Sequence, residues 1–271
     1  MMIMSKSKIA AIYLFLFILL AAGHVWGTTV TMSTNMGNIA VELFDDVAPK
    51  TVANFLNYVN DGDYTNTIIH RSVPGFIIQG GGFTINGTSI QYVPADPPVE
   101  NEFSISNTRG TIAMAKLGGD PNSATNQWFF NLADNSGDPA NLDTQNGGFT
   151  VFGRASAQSM DVIDAIAALP IYDESQYLNA AFGALPLLDD LLSAENLVTI
   201  TRITINAGPG YGDIDGDGNV SLADTILILK TLSGVDYALT IPQTADLDGD
   251  GKIGMKEAIY TLQVISGIIS E

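Results

Sequence analysis

An unusual combination of side chains lies at residues 70–82, where the sequence reads HRSVPGFIIQGGG. Two basic residues, His70 and Arg71, open the segment, an apolar turn follows, and Gln79 and three glycines end it. Nothing in it has the character of a nucleophile or a metal cage. Because arginine keeps its proton in proteins, the segment presents a permanent hydrogen-bond donor beside an apolar surface and an amide.

A different chemistry is indicated near the C-terminus by two copies of one acidic pattern. Residues 213–224 read DIDGDGNVSLAD and residues 246–257 read DLDGDGKIGMKE, 33 positions further on. Acidic residues at loop positions 1, 3, 5 and 12 with glycine at position 6 wrap a loop around calcium, a hard cation that takes six to eight oxygens. A single match could be a solvated turn, but two matches in register, each leading into an apolar-faced helix, predict two calcium sites.

The predicted calcium ligands can be named for each loop. The side-chain ligands of the first loop are Asp213, Asp215, Asp217 and Asp224, with the backbone carbonyl of Asn219 and with Ser221 contributing directly or through water. Those of the second loop are Asp246, Asp248, Asp250 and Glu257, with the backbone carbonyl of Lys252. We expect Glu257 to bind through both oxygens, whereas the shorter Asp224 allows a different coordination.

Composition limits the remaining chemistry. The chain has 271 residues, 46% of them hydrophobic, which is enough for one ordinary core and a small second unit. It contains no cysteine, so disulfides and thiolate zinc sites are excluded. The formal net charge of −18, without basic clusters, argues against nucleic acid or an anionic membrane surface as a partner.

The N-terminus has the pattern of a secretory signal. Lys6 and Lys8 precede an apolar run at residues 9–22, and small residues lead to a predicted cleavage after Gly27. Cleavage removes two lysines and no acid, which leaves 9 basic against 29 acidic residues, a charge of −20, and His70 as the one histidine. A site built from several histidines is thereby excluded. We expect export to the periplasm or the cell exterior without stable membrane insertion; an uncleaved anchor is the alternative.

The elements that must position these groups follow from periodicity. Residues 29–206 contain short runs that alternate apolar and polar residues, punctuated by Gly, Pro, Asn and Asp, as in β-strands. Two segments, residues 48–62 and 156–169, each have four apolar residues spaced for one face of a helix. These are Val52, Phe55, Leu56 and Val59 in the first segment and Met160, Ile163, Ile166 and Ala167 in the second. Many strands with two covering helices predict a mainly β fold, a closed antiparallel barrel.

The predicted domain organisation has four parts. Residues 1–27 are a signal peptide, 28–206 the barrel domain, 207–212 a Gly- and Pro-containing linker, and 213–271 a small α-helical domain with both calcium loops. Gly and Pro before each loop exclude a long entering helix, so the unit is loop–helix, twice, with helices expected over 222–234 and 255–267.

The loop–helix repeat of residues 213–267 resembles a dockerin, the calcium-binding module that pairs with cohesin domains in extracellular assemblies. The resemblance implies a cohesin-like or cell-surface partner, selected at loop positions 10 and 11, here Leu222 with Ala223 and Met255 with Lys256. These pairs differ between the copies, which does not favour symmetric dual-mode binding. In an equally weighted alternative, the module is stabilised by calcium and packs as a cap on its own chain.

Three separated motifs, IIHRSVPGFIIQGG, GTIAMAKLGGDPNSATNQWFFNL and GGFTVFGR, make residues 29–206 similar to cyclophilins, the peptidyl-prolyl cis–trans isomerases. The resemblance implies an eight-stranded antiparallel barrel capped by two helices and an isomerase that needs no cofactor. Its catalytic positions match Arg71, Phe76 and Gln79. Its substrate-binding positions match Ile77, Ala115, Lys116, Gln127, Phe129, Leu142 and Phe149.

Departures from the cyclophilin pattern are informative as well. Asn141 stands where cyclosporin-sensitive members carry Trp, which predicts weak inhibition by that drug, and residues 171–193 form a longer insertion before the last strand. His70 is expected to be structural. The combined prediction is an exported isomerase that accelerates X–Pro isomerisation in polypeptide clients, with a calcium-dependent docking module. The alternative is a weakly or non-catalytic protein that binds proline-containing segments and is attached through that module to an extracellular or cell-surface assembly.

Overall fold

A computed structural model describes residues 28–206, 212–215, 220–234, 245–247 and 252–268. The predicted signal peptide and anchor segment, most of the predicted linker, the segments that precede both calcium loops and part of each loop lie outside these residues. No helix within the described ranges combines the length and the apolar character needed to cross a membrane.

The main body is a curled antiparallel sheet. Its strands are β1 Thr29–Thr34, β2 Gly37–Leu43, β3 Thr67–Ile68, β4 Arg71–Val73, β5 Ile77–Gly80, β6 Phe83–Asn86, β7 Ser89–Tyr92, β8 Thr111–Met114, β9 Trp128–Asn131 and β10 Val151–Ala155, with β13 Thr199–Asn206 last. The short strands β11 Ile171–Tyr172 and β12 Leu185–Pro186 form a separate pair. The order in the sheet is β4-β5-β9-β8-β10-β2-β1-β13-β3-β6-β7.

The sheet closes through the chain itself, because β3 and β4 are two halves of one bent strand. The N–H of Ile69 still donates to Val198 beside β13, whereas the N–H of His70 donates to Gln79 in β5. With β3 and β4 taken as one, and with the β6–β7 hairpin outside the circuit, the eleven hydrogen-bonded segments leave eight barrel strands. The predicted eight-stranded barrel is confirmed.

Two helices cover the barrel, as predicted. Helix α1, Pro49–Asn60, buries Val52 and Phe55 from the predicted apolar face and also Tyr58, which the pattern missed. Helix α2, Ser159–Ala167, buries the predicted Ile163 and Ile166. The barrel interior is filled by large side chains that include Met32, Phe55, Trp128, Phe130 and Phe152.

A second apolar cluster lies outside the barrel interior, under the 171–193 insertion. Phe182 and Leu185 of the insertion pack with Ile68 and with Phe83 of the β6–β7 hairpin. The carbonyl of Ala184 accepts a hydrogen bond of 2.8 Å from the N–H of Ser72, so the insertion also pairs with β4. The insertion therefore supports the strand that carries Arg71.

The C-terminal domain contains the two expected helices, α3 Leu222–Leu232 and α4 Met255–Ile265. Their small apolar cluster comprises Ile214, Ile228, Ala245 and Ala258. The hydroxyls of Thr225 and Thr261 share a buried hydrogen bond of 2.8 Å between the helices. The predicted helical character of this region is confirmed.

Candidate active site and calcium-binding loops

Strand pairing brings residues from five strands into one row. Arg71 lies opposite Gln79, Gln79 opposite Phe129, Phe129 opposite Ala113, and Ala113 opposite Val151. Residues directly opposite in antiparallel strands point to the same face of the sheet. A guanidinium, an amide and three apolar side chains therefore share one surface of the barrel wall.

Hydrogen bonds align the polar end of this row. Arg71 Nη1 donates to Gln79 Oε1 at 3.4 Å, and Gln79 Nε2 donates to Gln127 Oε1 at 2.9 Å. The predicted catalytic pair Arg71 and Gln79 is thus in contact, and the predicted Gln127 extends the chain along the surface. Each amide has its orientation fixed by its neighbour.

The glycines after Gln79 make room for this arrangement. A Cβ on Gly82 would lie 2.7 Å from the side-chain amide of Gln127, and a Cβ on Gly81 would lie 2.4 Å from the carbonyl oxygen of Asn126. Gly81 also has a φ of +82°, which side chains rarely adopt. The triple glycine is therefore explained by close approach of the segment at residues 126–128.

The predicted apolar site residues converge on one cluster, separate from the barrel interior. Its buried members are Ile77, Ala113, Phe129, Leu142 and Val151, and its partly buried members include Phe76, Ala115 and Phe149. The rings of Phe129 and Phe149 meet edge to face with centroids 5.8 Å apart. Ala113, Val151 and the partly buried Phe44, Ile105 and Ala140 were not predicted; the period-2 relation of Ala113 to Ala115 was the available signal for one of them.

The guanidinium of Arg71 has no carboxylate partner among the described residues, where the ion pairs are Lys50–Glu100 and Arg109–Asp164. Partial burial lowers the pKa of Arg71, yet arginine remains a cation. Among the described residues, Arg71 is therefore not part of an ion pair. Its remaining N–H donors are available to a ligand on the apolar surface.

Buried asparagines, which were not predicted, connect the two sides of this cluster. Asn135 Nδ2 donates to the carbonyl of Phe76 at 2.8 Å and to Asn131 Oδ1 at 2.7 Å. Asn131 Nδ2 donates to Asn107 Oδ1, and Asn107 Nδ2 donates to the carbonyl of Phe149 at 3.0 Å. The one available signal in the sequence was Asn131, at the end of the apolar strand WFFN. A buried amide needs hydrogen-bond partners, so this residue predicts polar neighbours.

His70 lies away from this chemistry, as predicted. Its ring is buried and packs edge to face on Phe83 at 4.9 Å and on Phe182 at 6.2 Å. Burial, assisted by the charge of Arg71, lowers the pKa of His70 to about 4. The imidazole is therefore neutral near pH 7 and serves as part of the apolar cluster under the insertion.

The described part of the first calcium loop has a suitable donor set. Carboxylate oxygens of Asp213, Asp215 and Asp224 all lie within 4.8 Å of one another. Ile214 N–H donates to one oxygen of Asp224 at 2.7 Å and Ser221 N–H to the other at 2.8 Å, which closes the loop. Converging hard oxygen donors fit calcium. Asp217 and Asn219 lie outside the described residues.

The second loop closes in the same way. Glu257, at loop position 12, accepts from Leu247 N–H at 3.2 Å and from Gly254 N–H at 2.6 Å, the positions equivalent to Ile214 and Ser221. Asp246 and Lys252 are described, whereas Asp248 and Asp250 are not. The hydroxyl of Ser221 is occupied locally, because it caps α3 by accepting from Ala223 N–H and donates to Asp224.

Comparison with known proteins identifies the family. Residues 29–180 match the cyclophilin type peptidyl-prolyl cis-trans isomerase family, and residues 211–259 match the dockerin type I domain. A peptidyl-prolyl cis-trans isomerase of Acinetobacter baylyi is 43% identical over 155 residues, which are 56% of this chain and 79% of that protein. Peptidyl-prolyl cis-trans isomerase A of Dickeya dadantii is 39% identical over 183 residues, 65% of this chain and 92% of its own.

A solved cyclophilin type isomerase of Cryptosporidium parvum aligns over 67% of this chain and 99% of its own, with 26% identity and a TM-score of 0.47. The family match covers more than half of this chain. The chain therefore belongs to the cyclophilin-type peptidyl-prolyl cis–trans isomerases, and it carries a C-terminal dockerin type I domain.

Proposed function

We propose that this isomerase is exported, that Arg71 stabilises the twisted amide of an X–Pro bond, and that the C-terminal domain docks the enzyme in a calcium-dependent manner. The observation that carries the catalytic part is the guanidinium of Arg71, which has no carboxylate partner in the described part of the chain, is bonded to Gln79 and lies beside the apolar cluster. The substrates are proline-containing polypeptides.

Isomerisation of an X–Pro bond breaks no covalent bond but crosses a barrier of ~20 kcal/mol, because the amide loses its double-bond character. In the twisted transition state the proline nitrogen regains a lone pair. A guanidinium donor to that nitrogen stabilises the twisted amide more than either planar form and so lowers the barrier. A general acid or base is not required by this mechanism.

The neighbouring residues have separate roles in this proposal. Gln79 orients Arg71 and the substrate backbone, and Gln127 orients Gln79. The proline ring occupies a dry pocket whose walls are the apolar residues predicted from the sequence, Phe76, Ile77, Phe129, Leu142 and Phe149. Ala115 continues this surface along the peptide groove. A dry pocket strengthens the hydrogen bond from Arg71 to the substrate.

Export is supported by the contact at the first described residue. Thr28 N–H donates to Asp45 Oδ2 at 2.7 Å, and Thr28 Oγ1 donates to Asp45 Oδ1 at 2.9 Å. Cleavage after Gly27 would give Thr28 an α-ammonium group, which this carboxylate would accept as a charged donor. N-terminal sequencing of the secreted protein tests the cleavage position; a start other than Thr28 contradicts it.

Docking is supported by the surfaces of α3 and α4. Leu222, Ile226 and Leu229 are exposed on α3, and the equivalent positions 33 residues later, Met255, Ile259 and Leu262, are exposed on α4. Large apolar residues left exposed in matching rows favour an external partner over a cap packed on its own chain. A cohesin-like domain is the partner that a dockerin implies.

The test is a protease-coupled isomerisation assay on residues 28–271 with an X–Pro peptide. Arg71→Ala should lower kcat/KM by about 100- to 1,000-fold, as loss of one preorganised donor does elsewhere. Arg71→Lys should recover little, because lysine lacks the planar fork. Arg202→Ala, an exposed arginine on β13, is the matched control and should be unaffected. Absence of acceleration by the folded wild-type protein would leave the proline-segment binder as the function.

A further inference from the structure

The loop at residues 142–149 carries two walls of the proposed proline pocket but has little regular structure of its own. Leu142 begins it and Phe149 ends it, joined by a hydrogen bond from Phe149 N–H to Leu142 O. Between them Asn146, Gly147 and Gly148 have φ values of +52°, +75° and +78°. Three consecutive residues in the left-handed region cannot satisfy their carbonyls by helix or sheet pairing.

Side chains from elsewhere satisfy these carbonyls one by one. Lys116 Nζ donates to the carbonyl of Asn146 at 2.9 Å and to that of Gly148 at 2.6 Å. Asn101 Nδ2 donates to the carbonyl of Gly147 at 2.8 Å. Asn107 Nδ2 donates to the carbonyl of Phe149, as described above. Four consecutive carbonyls of the loop are thus held by three side chains.

Lys116 is the centre of this arrangement. Its third contact is to Asn101 Oδ1 at 3.3 Å, so all three protons of the ammonium have acceptors within the protein. The ammonium also lies 4.9 Å from the centroid of the Phe149 ring, on which it makes a cation–π contact. A lysine engaged in this way has no donor left for a peptide in the groove.

We propose that Lys116 is a positioning residue, which fixes the 142–149 loop and thereby holds the Leu142 and Phe149 walls against the proline ring, and that it does not bind substrate directly. The inference rests on the proposed function, because it assumes that these walls enclose the proline. It replaces the expectation from the sequence that Lys116 contacts the peptide.

The charge of the Lys116 ammonium is sensitive to mild alkali. Burial lowers the pKa of Lys116 to about 8, and the carboxylate of Asp120 raises it in part. The groups that contact the ammonium, the amide of Asn101 and two main-chain carbonyls, do not titrate. Since a neutral amine has two N–H donors instead of three, the loop should loosen as the pH rises through about 8.

The experiment compares Lys116→Met, which keeps an unbranched stem without donors, with Lys116→Arg, which restores donors, and with the control Lys50→Met on α1. Calorimetry measures the Kd of an X–Pro peptide, and the isomerase assay measures KM and kcat. Lys116→Met should raise Kd and KM about 5- to 20-fold with little change in kcat, because uniform binding is lost. Lys116→Arg should recover most of the affinity.

Two readouts separate positioning from direct contact and from misfolding. Peptides with neutral and with acidic residues after the proline should lose the same factor of affinity in Lys116→Met. A loss confined to the acidic peptide would assign a substrate contact and overturn the proposal. The wild-type affinity should fall above pH 8 while that of Lys116→Met stays level; a level wild-type profile would also overturn it. The Kd of the peptide is measured without catalysis, so it tests the role of Lys116 alone. The isomerase proposal is tested separately, by the activity of Arg71→Ala.

Discussion

Two loops of this molecule gather oxygen atoms around one point in opposite ways: residues 142–149 in the barrel domain, and the described residues 213–215 and 220–224 in the dockerin domain. In the first, neutral carbonyls surround an ammonium that the chain supplies as Lys116. In the second, carboxylates of Asp213, Asp215 and Asp224 converge, and the cation that suits them must come from solution. We therefore expect the order of the first loop to be permanent near neutral pH, and that of the second to depend on free calcium.

The largest effect should come from removing calcium from the protein comprising residues 28–271, which tests whether only the second loop needs a cation from solution. A chelator should abolish the α3 and α4 contribution to the helical circular dichroism and lower the melting transition of that domain. Ligand at 100 times its Kd stabilises by about 3 kcal/mol per site. The isomerase rate should not change, because the pocket residues belong to the barrel. A chelator-sensitive rate, or helicity that resists the chelator, would contradict the contrast.

A second measurement follows the stability of the barrel domain alone, through the effect of pH on its buried residue His70. Burial lowers the pKa of His70 to about 4 from 6.5. Between these values the unfolded chain binds a proton that the folded barrel does not, so the free energy of unfolding should fall by about 3 kcal/mol as the pH drops from 6.5 to 4. His70→Phe keeps an aromatic ring against Phe83 and Phe182 and removes the titration.

The quantity to measure is the difference in unfolding free energy between wild type and His70→Phe at each pH, with calcium held constant. Carboxylates elsewhere titrate equally in both proteins and cancel. We expect the difference to change across the window from 6.5 to 4 and to be level above 7. A difference that is level throughout would mean that the imidazole is not held neutral in the folded barrel.

The smallest effect is expected at the interface of α3 and α4. The buried hydroxyls of Thr225 and Thr261 bond to each other at 2.8 Å. Thr225→Val and Thr261→Val should each destabilise the calcium-loaded domain, and the double variant should lose less than their sum, with a coupling of about 1 kcal/mol. Thermal unfolding of the four proteins gives this coupling, and additive losses would show that the hydrogen bond contributes nothing.

The sequence was most informative where a local pattern determines the structure. Period-2 runs and two helical periods predicted the barrel and its helices, and the spacing of acids predicted that Asp213, Asp215 and Asp224 meet. The resemblance brought Arg71, Gln79 and Gln127 together, and these residues are in contact. In each case the relation between residues is set by strand register or by a short loop.

Prediction failed where a contact depends on the path of an irregular loop. The bond from Lys116 to Gly148 spans 32 residues and requires left-handed backbone at 146–148, which no periodicity encodes. The asparagine chain from Phe76 to Phe149 has the same character, because its members lie on separate strands and loops. Tyr58 was missed because a four-residue apolar face appeared complete without it.

Under the proposed mechanism, the bent strand formed by β3 and β4 makes enzyme activity depend on correct closure of the barrel. Arg71 lies two residues beyond Ile69, where this strand exchanges its partner from the last strand to β5. A chain that closed one residue out of register would turn the guanidinium to the opposite side of the wall, together with every apolar residue beside it. A barrel closed in the wrong register would therefore be inactive, so that catalytic activity itself selects the correctly folded molecules.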